Sequence, residues 1–345
     1  MTPPPRMDPD ALLQVEDLSV RFRSDTGVVS ALNGVTLAVR PGETVALVGE
    51  SGSGKSVTSL AIMRLTPSPP GCEVGGRVWL RGTDGRPVDL LALPGEAMRK
   101  VRGDRIAMIF QEPMTSLNPV LTIGEQIAEA IAVHRGTSRA SAWNAAGELL
   151  ELVGIPEPRA RLATYPHHLS GGMRQRVMIA IALSCDPALL IADEPTTALD
   201  VTVQAQILDL LRRLQKRTGM AVIFITHNLG VVAEIADRVM VMYAGRIVEE
   251  AAMRTLFQAP RMPYTVKLMR SVPRLQIGGE RVALEAIPGS VPDPTNLPTG
   301  CAFAPRCSHA MEGTCDVVGP DLEEVQPGHF VRCVRWRELA GGTAR

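Results

Sequence analysis

The chain has 345 residues, 45% of them hydrophobic, and its 36 Lys and Arg balance 36 Asp and Glu. That length suits one large or two modest domains with a sizeable core, and the cancelled charge argues against generic nucleic-acid binding through a broad basic field. No apolar run approaches the roughly 18 residues of a membrane span, and the first residues (Met1-Thr-Pro-Pro-Pro-Arg6) lack the apolar stretch of a secretion signal. The expectation is a cytoplasmic protein whose membrane contact goes through a partner.

In chain order, Leu12–Phe22 and Val35–Val39 alternate apolar and polar residues, which predicts half-buried strands. Thr44–Val48 is a short apolar run, the mark of a strand buried on both faces, and Lys55–Leu65 follows it as a helix. Arg105–Phe110 reads as a strand, then helical periods run at about Ile123–His134, Ser138–Val153 and Gly171–Leu183. Ala188–Ala192 and Met220–Thr226 are buried-strand runs flanking an amphipathic helix at about Thr202–Arg217. Strands alternating with helices imply an α/β fold on a mostly parallel sheet. Near residue 258 the composition changes. Prolines are frequent and periodicity weak from Gln258 to Thr299, which reads as a linker or extension before a Cys-rich tail.

Gly49-Glu50-Ser51-Gly52-Ser53-Gly54-Lys55-Ser56 fits G-x-x-x-x-G-K-[ST] without mismatch. Glycines let the backbone curl so that its N–H groups face phosphates, and the following helix adds its positive end. Lys55 supplies a point charge for the β- and γ-phosphates, and Ser56 a hydroxyl for Mg²⁺. Lys55 is one of only four lysines in the chain, and it stands where the pattern requires one. The apolar run 188–192 ends in Asp193 and Glu194, carboxylates delivered to the sheet edge where ligands bind. Asp193 suits Mg²⁺ and Glu194 suits orienting or deprotonating a water. His227, after the strand 220–226, could bond a γ-phosphate, although a lone His there is more often structural.

Leu169-Ser170-Gly171-Gly172-Met173-Arg174-Gln175 resembles the signature motif of ABC ATPases, and further motifs follow in that family's order over roughly residues 11–255. The resemblance implies an ABC-type nucleotide-binding domain: a RecA-like P-loop core with antiparallel β and helical subdomains. The ATPase domain would run over 1–257, its helical subdomain over about 112–185, and a small Cys-rich extension over 258–345. It further implies that Gln111 is the glutamine loop sensing Mg²⁺, His227 the switch histidine, and Phe22 an adenine-stacking ring. Glu194, His227, Lys55 and Gln111 would be catalytic. Ser170, Gly171, Gly172 and Gln175 would act on ATP held by a second subunit, and Asp200, in Ala198-Leu-Asp200, would cross the dimer interface.

Within that family, Gln111–Pro119, Ile191–Gln206, Pro263-Tyr-Thr265 and Ser271-Val-Pro273 resemble oligopeptide and dipeptide importers, with Met262 where those usually carry His. The implied partners are a second, related ATPase chain, two integral membrane permease subunits and, indirectly, an extracytoplasmic substrate-binding protein. The implied place is the cytoplasmic face of the membrane. Relatives importing nickel or other small solutes share the extension. A soluble ABC ATPase acting on ribosomes or DNA would carry two fused domains, coiled-coil insertions or basic segments, none of which is visible.

Cys301, Cys307, Cys315 and Cys333 are separated by five, seven and seventeen residues. Four thiolates can close on zinc or on a [4Fe–4S] cluster, or the cysteines can be free. Tight C-x₂₋₄-C pairs usual for structural zinc are absent. The tail resembles a cluster-binding segment of some peptide-importer ATPases, which implies a [4Fe–4S] cluster; the role expected of it is a structural staple, with a redox sensor as the alternative. His309 and His329 lie nearby as alternative ligands, although they read better as ordinary surface residues.

Overall fold

Two sheets organise the chain, and the contrast between alternating and continuous apolar runs distinguishes them. The computed structural model describes residues 7–24, 27–111, 116–197, 199–271 and 286–339. Strands β1 (Leu13–Ser24), β2 (Gly27–Val39), β4 (Cys72–Arg81) and β5 (Pro87–Asp89) form an antiparallel sheet in the order β2-β1-β4-β5. One face is buried: Leu13, Val15, Leu18 and Val20 on β1 meet Leu32, Val35, Leu37 and Val39 on β2. Val15 and Leu18 are three apart, so strict alternation would turn Leu18 outward. A register irregularity between them, with Asp17 at φ 49°, restores the inward face. Gly76 on β4 lies opposite, where a Cβ would come within 2.6 Å of the Asp17 carbonyl oxygen.

The second sheet has eight strands. Its order is β11 (Glu323–Gln326), β12 (His329–Val331), β10 (Arg246–Ala252), β9 (Arg238–Tyr243), β3 (Thr44–Val48), β8 (Ala221–Ile225), β7 (Leu189–Asp193) and β6 (Ile106–Ile109). The run β9-β3-β8-β7-β6 is parallel, while β10, β12 and β11 add antiparallel strands at one edge. β3, β7 and β8 are buried at all five positions, as runs covered on both faces must be.

Successive residues of these strands serve different cores. Val45, Leu47, Leu189 and Ile191 face the antiparallel sheet, with α1 (Lys55–Ile62) and α2 (Gly95–Val101) beside it. Leu190 and Ala192 face a helical layer of α3 (Ile123–Arg135), α4 (Arg139–Leu152), α6 (Gly171–Leu183) and α7 (Val201–Thr218), with the short α5 (Pro158–Arg161) at its rim. Ala46 and Val48 join a third core with α8 (Leu229–Ile235), α9 (Met253–Gln258), α10 (Pro263–Arg270) and the C-terminal segment, which ends in α11 (Trp336–Leu339).

The helices expected at 123–134, 138–153, 171–183 and 202–217 correspond to α3, α4, α6 and α7. The stretch read as weakly periodic from Gln258 contains α10, an amphipathic helix too short to register over a Pro-rich background. The tail joins the main sheet. β12 pairs with β10 at Glu249↔Val331 and Glu250↔Phe330, and His329, expected at the surface, is buried with its Nε2 2.8 Å from Glu249 Oε1. Ala198, residues 112–115, and Val272 and Pro273 lie outside the described residues.

Candidate active site

The loop after β3 curls back on its own lysine. Gly49 (φ 155°) passes so close to β9 that a Cβ there would sit 2.2 Å from the Met242 carbonyl oxygen, so no other residue fits. Gly54, at φ 105°, precedes α1, whose first residue is Lys55. The Lys55 side chain is buried, and Nζ donates to the carbonyl oxygens of Gly49 and Glu50, each at 2.9 Å. Burial pulls the Lys55 ammonium below its ordinary pKa, and Glu194, Asp193 and Glu50 oppose that shift.

β7 ends beside the same helix. Ser56 Oγ donates to Asp193 Oδ1 at 3.1 Å. Burial pushes the Asp193 carboxyl up, against the Ser56 bond. Glu194 follows in the left-handed region (φ 46°), with its N–H bonded to the Ile225 carbonyl oxygen at 2.9 Å. Adjacent parallel strands thereby bring the ends of β7 and β8 together. His227 Nδ1 lies 3.1 Å from Glu194 Oε1. Gln111 Nε2 donates to Oε2 at 3.3 Å, and Thr197 Oγ1 donates to the same oxygen at 2.8 Å. Burial alone would raise Glu194, but the bonds from His227 and Thr197 and the nearby Lys55 charge outweigh it and hold the carboxyl below the usual range. Lys55, Ser56, Asp193, Glu194, Gln111 and His227 are therefore one cluster, assembled from α1, β6, β7 and β8 ends. Thr197 belongs to it although sequence reasoning gave it no role.

The signature segment builds a second cluster on α6 and α7. Ser170 caps α6, its Oγ accepting from Met173 N at 3.3 Å, and Asp200 caps α7, its Oδ1 accepting from Val203 N at 2.9 Å. Gly172 packs on α7: a Cβ there would come within 2.7 Å of Val203 Cγ1. Gly171 faces Leu199, and the side chain of Gln175 is buried. Phe22 lies on β1 between Val29 of β2 and Cys72 of β4, half-buried against the inter-sheet core.

Glu50 has partners that no local pattern indicated. Its N–H donates to Tyr264 Oη at 2.9 Å, and Arg306 grips its carboxylate with Nη1 and Nη2 at 2.8 and 3.0 Å.

The four C-terminal cysteines correct an expectation. Cys301, Cys307, Cys315 and Cys333 line one small cavity with Met262 and Phe303, yet all are free thiols. Among the described residues, no group of three or more His, Cys, Asp or Glu side chains is arranged to hold a metal ion. Burial pushes the Cys301 and Cys307 thiols up and Cys333 up to about 11, so without a metal these groups are protonated thiols. The [4Fe–4S] cluster is therefore not supported, nor is zinc, and Cys301, Cys307 and Cys333 pack against the third core.

The chain is similar to known proteins along most of its length. Residues 32–197 match the ABC transporter family, and residues 248–315 match the oligopeptide/dipeptide transporter C-terminal region. A putative peptide import ATP-binding protein of Brucella abortus (strain 2308) is 58% identical over 340 residues, 97% of this chain and 100% of the relative. The oligopeptide transport ATP-binding protein OppD of Bacillus subtilis is 53% identical over 321 residues, 93% of this chain and 88% of that protein. Among solved structures, the ATP-binding cassette MJ0796 as a post-hydrolysis dimer bound to ADP and Pi superposes with a TM-score of 0.61 at 29% identity, covering 70% of this chain and 99% of that one.

Proposed function

The chain belongs to the ABC transporter family as a peptide-import ATP-binding subunit, and we propose that it drives uptake of di- and oligopeptides by hydrolysing ATP at the cluster around Glu194. One observation carries the proposal. Three donors from separate segments, Gln111, Thr197 and His227, converge on a single carboxylate beside Lys55 and the Ser56–Asp193 pair.

In this reading the N–H groups of Gly49–Ser56 and Lys55 bind the phosphates, and Phe22 stacks on adenine. Glu194, held ionised below its usual range, orients the attacking water and accepts its proton. His227 and Gln111 hold that carboxylate in place and stand beside the γ-phosphate. Ser56, Asp193 and Gln111 offer only oxygen donors, the set that a hard cation takes, so they suit Mg²⁺. When bound, Mg²⁺ neutralises phosphate charge. Ser170, Gly171, Gly172 and Gln175 would close on ATP held by a second ATP-binding chain, with Asp200 at the junction. Residues of about 112–185 would meet two permease subunits in the membrane, which receive peptide from an extracytoplasmic binding protein. Among the described residues no helix is long and apolar enough to cross a membrane, in keeping with attachment through such partners. The match of residues 248–315 to the oligopeptide/dipeptide transporter C-terminal region supports the peptide-import reading.

Glu194→Gln keeps the size and most hydrogen bonds of the side chain but removes the proton acceptor. It should bind MgATP as the unaltered chain does while turnover falls on the order of 10²–10⁴-fold. Near-normal phosphate release by this variant would remove Glu194 from the reaction.

A further inference from the structure

Glu50 occupies an open position of the phosphate loop, where any residue fits the motif, yet every polar group it has is engaged. Its N–H is bonded to Tyr264 Oη, its carbonyl oxygen accepts from Lys55 Nζ and from Ser53 N, and its carboxylate is held by both terminal nitrogens of Arg306. Arg306 comes from a turn at Ala304–Arg306, and its side chain is only 4% exposed. Its remaining donors are fixed as well. Nε bonds the Pro288 carbonyl oxygen at 2.8 Å, Nη1 the Tyr243 hydroxyl at 3.3 Å and Nη2 the Ile287 carbonyl oxygen at 3.3 Å. Behind the pair, Tyr243, Tyr264 and Phe303 pack tilted and edge-to-face with centroids 4.6 to 5.3 Å apart, tying the end of β9 to α10 and to that turn.

A bidentate guanidinium–carboxylate pair has one geometry, and a buried one is costly unless every donor is used. Here every donor is used, so the pair constrains the residue to which it is attached. We propose that Arg306 is a positioning residue for nucleotide binding: the C-terminal segment grips Glu50 and through it sets the curl of the loop and the seat of Lys55. Arg306 touches no reacting atom in this scheme. Glu50 carries its effect, with Tyr264 as the second point of attachment.

The test is equilibrium titration of the full chain with MgATP, with thermal melting followed in parallel. Arg306→Ala and Glu50→Ala should each raise Kd on the order of tenfold. The double variant should be no worse than either single one, because both remove the same link. Arg306→Lys should fall between, since it keeps the charge and loses the fork. A purely structural role would lower the melting temperature without this non-additivity in Kd. Unmoved Kd in the folded single variants, or single effects that multiply in the double variant, would overturn the assignment. Should Arg306→Ala fail to fold, Glu50→Gln decides. It keeps the backbone bonds to Tyr264 and Lys55, and an unchanged Kd in it would overturn the assignment equally. Absence of MgATP binding by the unaltered chain would overturn both this assignment and the ATPase reading, whereas binding with Kd unmoved in the variants overturns this assignment alone.

Discussion

Glu249 lies on β10 with no solvent exposure, and three donors satisfy its carboxyl group. Oε1 accepts from Arg261 N at 2.6 Å and meets His329 Nε2 at 2.8 Å, while Oε2 accepts from Met262 N at 3.1 Å. These bonds tie two other stretches of chain, residues 261–262 and β12, to one buried oxygen pair on β10. A carboxyl group left short of a partner in that place keeps its desolvation cost without the compensating bond. His329→Ala would also open a cavity beside β12. It should therefore destabilise the chain by about 2–3 kcal/mol, read from urea or thermal unfolding. A loss below about 0.5 kcal/mol, the range of ordinary surface changes, would mean that water replaces the imidazole at no cost.

At the scale of the element, α3 shows how local chemistry defines a boundary. Thr122 Oγ1 accepts from Glu125 N at 3.3 Å, and Glu125 Oε2 accepts from Thr122 N at 2.9 Å, so each residue satisfies an amide that the first turn leaves free. The helix ends at Gly136 in the left-handed conformation that stops it. Thr122→Ala should cost about 1 kcal/mol of stability, measured by denaturant unfolding, with MgATP affinity unchanged because α3 packs in the helical layer. A shift in affinity would show that the helical layer is coupled to the loop within a single chain. α6 starts on half of this device: Ser170 Oγ accepts from Met173 N, and the third position is Met173, which has no carboxylate to answer it.

For the whole molecule, the two clusters lie on different elements, one on α1 with the ends of β6, β7 and β8, the other on the starts of α6 and α7. If the second acts on ATP bound at the first of another chain, the working unit is a pair. Turnover per chain should then climb with the total concentration of ATP-binding chains until pairing saturates. A specific activity independent of concentration, down to dilutions where light scattering finds monomers, would mean that one chain holds a complete site.

What the sequence determined by itself is what depends on neighbours along the chain. The curl at Gly49–Ser56, the buried runs of β3, β7 and β8, the caps at Ser170 and Asp200, and the carboxylates closing β7 each follow from residues within a few positions of one another. Together with their order they were enough to place Lys55, Asp193, Glu194 and His227 at one sheet edge, because parallel strands bring their C-terminal ends to the same side. Short antiparallel strands such as β5 and β12, of three residues each, are too brief for any period to emerge. Only the tertiary structure decided contacts made across long stretches of chain. Glu50 and Arg306 are 256 positions apart, and Glu249 and His329 are 80. No local pattern encodes such a pairing, since each residue alone is compatible with a solvated surface. The cysteines make the same point in reverse. Their spacing admitted metal ligation, but ligation depends on whether the folded chain gathers the side chains around one point, and among the described residues no such group is found.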